Sequence, residues 1–532
     1  MWLDSGQHRA PEGAGSRTAR LAAARACAEN ARPCNPVPVP IVSPSVPTPR
    51  SRLQRDARII ARLGGPLLAN NLAIAGMGFA DTVMAGRLGA DALATVALGS
   101  AVYNLWMFVG LGVLMGLSPV VAHAWGAGEE RRIGSHFRQA LWLALGLSVV
   151  VGSGIAHAHW LLGRVGIEPE LVASASRYCK MVAVGMPALM SFFALRFMTE
   201  GIGWTRPIMY IACAGLATNV FGNWVFMYGR LGAPALGAVG CGVASAIVMW
   251  VMAAAMLAYV SRHRIYRPLA LFDRFEWPDP SKLRELAAVG VPIAGSIVSE
   301  GGLFVAAALL MGTFGATAVA AHQVAINYAT FMFMVPLALH SATTIRVGQL
   351  LGRGDYAAAR FSGYVGIGLC AAVMLASALG ILVSNDLIAA LYTSDAAVRE
   401  LAATMLLLAA LFQVSDGVQV GAAGALRGYK DTRVPMLLNL GSYWLVGFPV
   451  AWVLGVVFDR GPLGIWLGLV AGLTLCALLL LARYACISTQ RAGGASICAR
   501  TGRNPAAGRR SERNRAGALE PAARRVLEAG SQ

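Results

Sequence analysis

Twelve long apolar runs dominate this chain of 532 residues and limit what it can fold into. Each run is long enough to cross the hydrocarbon core of a bilayer, which takes about twenty apolar residues as a helix. Lipid offers no hydrogen-bond partner to the backbone, so these runs must be helices, because a barrel would need alternating strands of about ten residues. The runs cover residues 60–84, 93–117, 136–160, 181–203, 208–228, 238–260, 286–311, 318–344, 362–384, 400–424, 435–458 and 463–485.

The composition excludes a large water-soluble enzyme. Hydrophobic residues make up 57% of the chain and charged residues only 13%, with a mean hydropathy of +0.60, whereas soluble proteins carry about a quarter charged residues. The net charge of +18 does not indicate nucleic-acid binding, because half of it lies in residues 1–50 and 486–532. None of the nine cysteines lies in a CxxC spacing, so neither a disulfide framework nor a structural metal site is predicted.

Positive charge is distributed unevenly between the loops on the two sides of the predicted helices. The even-numbered connections carry sixteen Lys and Arg residues, and the odd-numbered connections carry seven. Loops on the cytoplasmic side of a membrane protein carry the excess of Lys and Arg. We therefore expect the even loops and both termini to lie in the cytoplasm.

The two halves of the chain repeat one another in a common register. Gly64 and Pro66 align with Gly290 and Pro292, GADALA (89–94) with GATAVA (315–320), and GAG (126–128) with GRG (352–354). One position out of that register, Thr205-Arg206 aligns with Thr432-Arg433. Two halves with six helices each and the same orientation imply a pseudo-two-fold axis along the membrane normal, an arrangement common in transporters with the substrate cavity between the halves. We therefore expect an all-α polytopic membrane protein built from two six-helix bundles.

These features divide the chain into five parts. Residues 1–55 are expected to form a disordered tail rich in basic residues and proline, and residues 486–532 a second disordered basic tail. Between them we expect an N-terminal bundle (56–260), a charged cytoplasmic linker (261–285) and a C-terminal bundle (286–485).

Polar side chains inside the first half mark one candidate site. Charged groups within membrane helices are costly and usually face an interior cavity. Asp81 lies in the first run, and Asn219 and Asn223 are spaced so that their amides share one face of the fifth helix. Together they favour an oxygen-lined pocket suited to Na⁺ or to a proton network. The alternative interpretation is hydrogen bonding between helices alone. Glu200, near the end of the fourth run, is expected to pair with Arg196 one helical turn away.

The second half carries the strongest single signal. Glu300 lies about 18 Å inside the seventh run at 1.5 Å per residue, and burial of its carboxylate favours binding of a proton or a cation. Asp416 lies in the middle of the tenth run and is a second candidate. Gln323 and Asn327 repeat the four-residue amide spacing on the eighth helix, where hydrogen bonding between helices and a functional role are equally supported.

Motifs of catalysis are absent from the sequence. No HExxH, GxSxG or P-loop motif occurs, and the histidines show no metal-ligand spacing. We therefore expect a protein that is not an enzyme and that needs no cofactor.

The sequence resembles the multidrug and toxic compound extrusion family, in its NorM-like bacterial branch. The matching stretches are GMGFADTVMAG (76–86), PVVAHAWGAG (119–128), NVFGNWVFMYG (219–229), GAPALGAVGCGVA (232–244), AAHQVAIN (320–327), IRVGQLLG (345–352), LYTSD (391–395) and LRGYKD (426–431). They run in family order from about residue 56 to residue 485, so the resemblance covers the whole predicted body.

The resemblance implies two V-shaped bundles, alternating access, and export of cationic or aromatic drugs across the bacterial inner membrane in exchange for Na⁺ or H⁺. Asp81, Asn219 and Asn223 match the family's amino-terminal cation or proton site, and Glu300 and Asp416 match the carboxylates of its carboxy-terminal site. The implied partners are small organic, often cationic, substrates and the lipid bilayer, and the protein is expected to act as a monomer.

Two residues depart from the family pattern. Phe412 stands where members can carry a tyrosine beside the second site, which removes a hydroxyl ligand for Na⁺. Glu200 stands where an aspartate is expected, which lengthens the side chain by one methylene. With Gln323 and Asn327, these residues are candidates for the cavity wall or for support of the ion ligands.

Two other functions are consistent with twelve membrane helices. A lipid or oligosaccharide-lipid flippase of related fold should have a strongly cationic central cavity, whereas the charges within the helices are mostly acidic. A polytopic membrane enzyme would need a clustered catalytic set, for which Asp81, Glu300 and Asp416 are the only candidates.

Overall fold

The structure is a computed structural model that describes residues 49–164 and 166–500, with side chains described for 50–164 and 166–493. Most of the two predicted tails therefore lies outside the described residues. Inside those predicted tails, the first helix begins at Pro49 and the last helix continues to Arg500.

Within the described residues the chain is helical and contains no strand. In this part of the chain eleven helices are long and apolar enough to span a membrane, and a bent pair completes a set of twelve. They are α1 (Pro49–Gly86), α2 (Ala90–Gly126), α3 (Glu130–Ala156), α4 (Pro169–Val184 with Met186–Gly201), α5 (Arg206–Phe226), α6 (Ala238–Arg262), α7 (Pro280–Gly312), α8 (Ala316–Gly352), α9 (Tyr356–Tyr392), α10 (Ala396–Gly428), α11 (Arg433–Val457) and α12 (Gly461–Arg500).

Helix α4 differs from the single run predicted over 181–203. Its two parts meet at an angle of 48°, with Gly185 between them and Pro187 at the start of the second part. Proline lacks a backbone N–H and clashes with the preceding turn, which accounts for a bend at this point. Arg177 and Lys180, which precede that predicted run, lie in the first part of α4 and are exposed.

Most buried apolar residues of each half form a core of their own, and a third, smaller cluster joins Ile60 of α1 to α8 and α9. One large cluster of buried residues draws on α1–α6, together with the first turns of α7 and a few residues of α8. The other draws on α7–α12. We call these halves the N lobe (α1–α6) and the C lobe (α7–α12).

The close helix crossings between the lobes follow the internal repeat. Gly64 of α1 faces Leu339 of α8 across 3.4 Å, measured from an ideal Cβ position on the glycine. Gly290 of α7 faces the backbone of Val113 in α2 so closely that a Cβ would overlap the Val113 carbonyl group. In the register of the repeat, Gly290 is the counterpart of Gly64 and Val113 is the counterpart of Leu339, which agrees with the predicted pseudo-two-fold axis.

The linker between α6 and α7 (residues 263–279) is docked against α3. Arg138 donates to the carbonyl oxygen of Ala270 over 2.6 Å and to the Glu276 carboxylate over 2.8 Å. Gln139 and Trp142 donate to the backbone carbonyl groups of Trp277 and Glu276, each over 2.9 Å. We call the side of the protein that carries this linker, with the ends of α2, α4, α8 and α10 that point the same way, the linker face.

Glu276 is the charged centre of this docking. The hydrogen bond from Arg138, aided by Ser135 and nearby cations, lowers the pKa of its carboxyl to about 2, against the contribution of burial. A carboxylate with a depressed folded-state pKa contributes stability above its ordinary pKa of 4.5 and loses that contribution as the pH falls towards 2.

We therefore expect Glu276→Gln to destabilise the protein by about 1.5–3 kcal/mol at pH 7, the usual contribution of hydrogen bonds to a charged group. The difference from the parent should shrink between pH 4.5 and pH 2, as measured by thermal unfolding of the purified protein in detergent. Asp273→Asn, at an exposed position of the same linker, is the matched control and should change nothing. A difference that widened in acid would contradict this interpretation.

Candidate functional site

The first candidate site lies inside the N lobe and is built on α1 and α5. Asn219 and Asn223 both donate from their amide nitrogens to Oδ1 of Asp81, over 3.0 Å and 2.6 Å. The two amides are buried, at 2% and 0% exposure, because the four-residue spacing keeps them on the inward face of α5. The structure thus brings together the three residues selected from the sequence, and both donors orient one carboxylate oxygen.

The surroundings of Asp81 offer further polar groups. Oδ1 of Asn223 is buried and has no hydrogen-bond partner among the described residues. The Cys241 thiol lies close to the carboxyl group, and the hydroxyl-bearing Tyr103 and Tyr178 are close enough to interact electrostatically with it. A carboxylate and an unpartnered amide oxygen can together receive a proton or a small cation.

The second candidate site lies inside the C lobe. Asp416 of α10 is 3% exposed and lies within electrostatic range of Glu300, which is half-buried in α7. Gln419 lies close to the Glu300 carboxyl group. Tyr443 of α11 is fully buried and interacts electrostatically with both carboxylates. The two acids chosen from the sequence therefore share one interior region.

This region is rich in polar atoms that lack a partner among the described residues. They are Ser299 Oγ, Gln413 Oε1 and Nε2, Gln419 Oε1, Ser442 Oγ and Tyr443 Oη. Ser442 and Tyr443 belong to a π-helical stretch, Gly441–Gly447, a local geometry frequently found at functional sites. Buried groups of this kind are normally satisfied by water or by a bound ion.

Sequence reasoning missed Gln419, Ser442 and Tyr443. The available signal was the presence of polar residues in apolar runs, but the π-helical turn that places two of them inside could not be derived from spacing. Across the described residues, no group of three or more His, Cys, Asp or Glu side chains could hold a metal ion. Any cation held here would rely on hydroxyl and amide oxygens beside the two carboxylates.

Phe412 lies in an aromatic cluster next to the second site. Its ring contacts Phe304 and Trp466 edge to face, with centroids 5.9 Å and 6.0 Å apart. Gln323 and Asn327 are exposed on α8 and bond to each other over 3.0 Å. That local bond accounts for their spacing without a contact between helices.

A buried ion pair lies near the boundary between the lobes. Glu200 accepts a hydrogen bond from Arg196 over 2.8 Å, which confirms the pairing predicted from the sequence. Arg427 interacts electrostatically with Glu200 in the N lobe and with Glu300 in the C lobe. Arg427 lies beyond the run predicted over 400–424, but the structure places it in the last turn of α10, where it contacts Met115 of α2.

Solved structures of known transporters share this fold. A MATE protein in the bent conformation has a TM-score of 0.77 and 20% identity over 84% of this chain and 98% of that chain. An outward-facing multidrug resistance MATE family transporter of the MOP superfamily has a TM-score of 0.76 and 20% identity over 84% of this chain and 99% of that chain. The fold class is therefore that of the two-lobed helical transporters.

Similarity in sequence is closer than these structural matches. The MatE family pattern matches residues 66–225 and 292–453. A probable multidrug resistance protein NorM of Xanthomonas axonopodis pv. citri is 41% identical over 83% of this chain and 97% of its own length. Multidrug resistance protein PmpM of Pseudomonas aeruginosa is 41% identical over 83% of this chain and 94% of its own length. The chain belongs to the MatE family of membrane transporters, as its motifs had indicated.

The geometry of the N-lobe site ranks its two amides. Asn223→Ala should destabilise the protein more than Asn219→Ala, because Asn223 makes the shorter bond and is fully buried. We expect losses of about 0.6 kcal/mol, the average for hydrogen bonds between membrane helices, and at most about 1.7 kcal/mol, as measured by thermal unfolding in detergent. Thr218→Ala, whose hydroxyl bonds only to its own helix, is the control. Equal losses in all three variants would remove the ranking.

Proposed function

We propose that the protein is a cation-coupled antiporter that exports cationic and aromatic organic compounds by alternating access. Two lines support this proposal. The relatives at 41% identity are named multidrug resistance proteins. Each lobe also encloses at least one carboxylate that makes no salt bridge among the described residues. The protein works as a monomer in the bacterial inner membrane, with the linker face and both termini in the cytoplasm.

The observation that carries the proposal is the environment of Asp81. Its carboxylate is held by two amide donors inside a helical bundle, away from any salt bridge among the described residues. A proton or a monovalent cation that neutralises this carboxylate stabilises the N lobe, whereas the charged carboxylate without a bound ion has a high desolvation cost. Loading and unloading of Asp81 therefore changes the energy of the N lobe by an amount that a conformational change can use.

The C-lobe acids extend the same argument. Two carboxylates within electrostatic range repel each other when both are charged, so one bound cation or proton relieves the repulsion. Arg427 interacts electrostatically with Glu300 and with Glu200. A change in the charge of Glu300 can therefore alter the interaction of Arg427 with Glu200, which forms the ion pair in the N lobe.

Exchange follows from competition for these acids. The hydrogen bonds from His123 to Gly428 and from Gln349 to Gly201 join the lobes on the linker face. In the proposed cycle, an opening on the opposite face admits the coupling ion from outside. Ion binding favours the state in which the carboxylate is best solvated by protein oxygens, and an organic cation then displaces the ion because one carboxylate cannot neutralise both. A ligand shifts such an equilibrium only through its different affinities for the two states.

Dye efflux in membrane vesicles tests the mechanism. With Na⁺ and H⁺ gradients imposed separately, Asp81→Asn and Glu300→Gln should each slow ethidium efflux about tenfold or more, because loss of one interaction with a charged group is worth about 1.5–3 kcal/mol. The gradient that drives the parent protein identifies the coupling ion.

Two exposed carboxylates supply matched controls for these variants. Asp91→Asn, in the first turn of α2, and Glu400→Gln, in the first turns of α10, make the same chemical changes away from both sites and should leave efflux unchanged. Parental efflux by both site variants would exclude the proposed coupling, and absence of efflux from the parent under either gradient would exclude the function itself.

A further inference from the structure

The two lobes are joined on the linker face by a pair of equivalent hydrogen bonds. His123, near the end of α2, donates from Nε2 to the carbonyl oxygen of Gly428 at the end of α10, over 2.7 Å. Gln349, near the end of α8, donates from Nε2 to the carbonyl oxygen of Gly201 at the end of α4, over 3.1 Å. Each bond therefore runs from one lobe to the last residue of a helix in the other lobe.

These two bonds are related by the internal repeat. His123 and Gln349 occupy equivalent positions in the register that aligns the two halves of the sequence. Gly201 and Gly428 align in the neighbouring register, the one that superimposes the starts of the following helices α5 and α11. The donor and the acceptor of one bond are thus the repeat counterparts of the donor and the acceptor of the other.

Between the two bonds, the backbones of α2 and α8 pack directly against each other. Gly126 and Gly352 end α2 and α8, and they are also counterparts in the repeat. A Cβ on Gly126 would overlap the carbonyl group of Gln349, and a Cβ on Gly352 would overlap the carbonyl group of His123. The GAG and GRG repeats therefore mark the place where the two helix ends cross at the pseudo-two-fold axis.

We propose that His123 and Gln349 are a two-part latch that holds the linker face closed and so sets the balance between the two states of the transport cycle. The latch rests on the alternating access proposed above. A helix-end carbonyl has lost its partner within the helix, so a side-chain donor satisfies a group that would otherwise need water. When the lobes part on this face, both bonds break together and the carbonyl groups become hydrated.

The ion pair between Asp56 and Arg346 adds to this closure, with 2.8 Å between Oδ1 and Nη2. It has no equivalent in the other half, because the repeat counterparts of the two residues are Lys282 and Val120. The latch is therefore the part of the closure that occurs in equivalent form in both halves of the repeat. His123 also lines a cavity of about 230 Å³ on the linker face, beside Arg132 and Lys430, so water has access to one of the two bonds.

Reporter cysteines can measure the latch without any transport. Val120 and Ile202 are 3% and 5% exposed. Val120 lines the cavity beside His123, and Ile202 directly follows Gly201. Each substitution is combined with the reporter cysteine beside the other bond. His123→Ala is combined with Ile202→Cys, and Gln349→Ala is combined with Val120→Cys. This cross-reading excludes local exposure at the mutated side chain. The full-length protein in lipid nanodiscs is treated with a polar maleimide, and modification is quantified for each peptide by mass spectrometry.

Loss of either bond should raise the labelling rate about two- to tenfold, the effect of one net hydrogen bond on an opening equilibrium. The double variant should show the product of the two increases. The chain provides its own conservative control, because a glutamine already makes the equivalent bond at position 349: His123→Gln should label within about twofold of the parent.

The native cysteines report on folding in the same experiment. Cys179 and Cys476 are fully buried, one in each lobe, so their labelling rises only if a lobe unfolds. Unchanged reporter labelling in both alanine variants, or an equal increase in His123→Ala and His123→Gln, would overturn the latch. A parent that labels as expected but fails to export ethidium would instead overturn the proposed function and leave the closure intact.

Discussion

Lipid cannot hydrogen-bond to a polar group, and this constraint shapes every part of the protein. The backbone satisfies it by forming helices, and polar side chains satisfy it by turning towards one another inside the lobes. Asp81 with Asn219 and Asn223, and Glu300 with Asp416, are the places where this rule leaves a carboxylate without a salt bridge among the described residues. A group that is costly when charged and alone is well suited to bind and release an ion.

The duplicated chain adds a geometric constraint of its own. Two similar bundles that meet around a pseudo-two-fold axis must meet through equivalent residues, as the crossings at Gly64 and Gly290 show. Side chains that differ between the halves then carry the functional asymmetry. One lobe holds a single aspartate with two amides, and the other holds two acids with hydroxyl and amide neighbours. The hydrogen bonds of His123 and Gln349 show the same principle at the closed face.

Much of this arrangement could be predicted because it depends on local pattern. Apolar length predicted the helices, the four-residue spacing predicted that Asn219 and Asn223 share a face, and the repeat predicted the symmetry. The misses have a common cause. The π-helical stretch that turns Tyr443 inwards and the position of Arg427 in the last turn of α10 depend on how the helices pack. Neither feature produces a periodic pattern in the sequence.

The amino-acid sequence by itself determined that the chain spans a membrane, that it is duplicated, and which carboxylates lie in its interior, because hydrophobic length and residue spacing are local properties. Only the tertiary structure decided which groups those carboxylates meet, and that His123 reaches Gly428 while Gln349 reaches Gly201. Such contacts join residues far apart in the chain, and their existence depends on the angle and depth at which two helices cross.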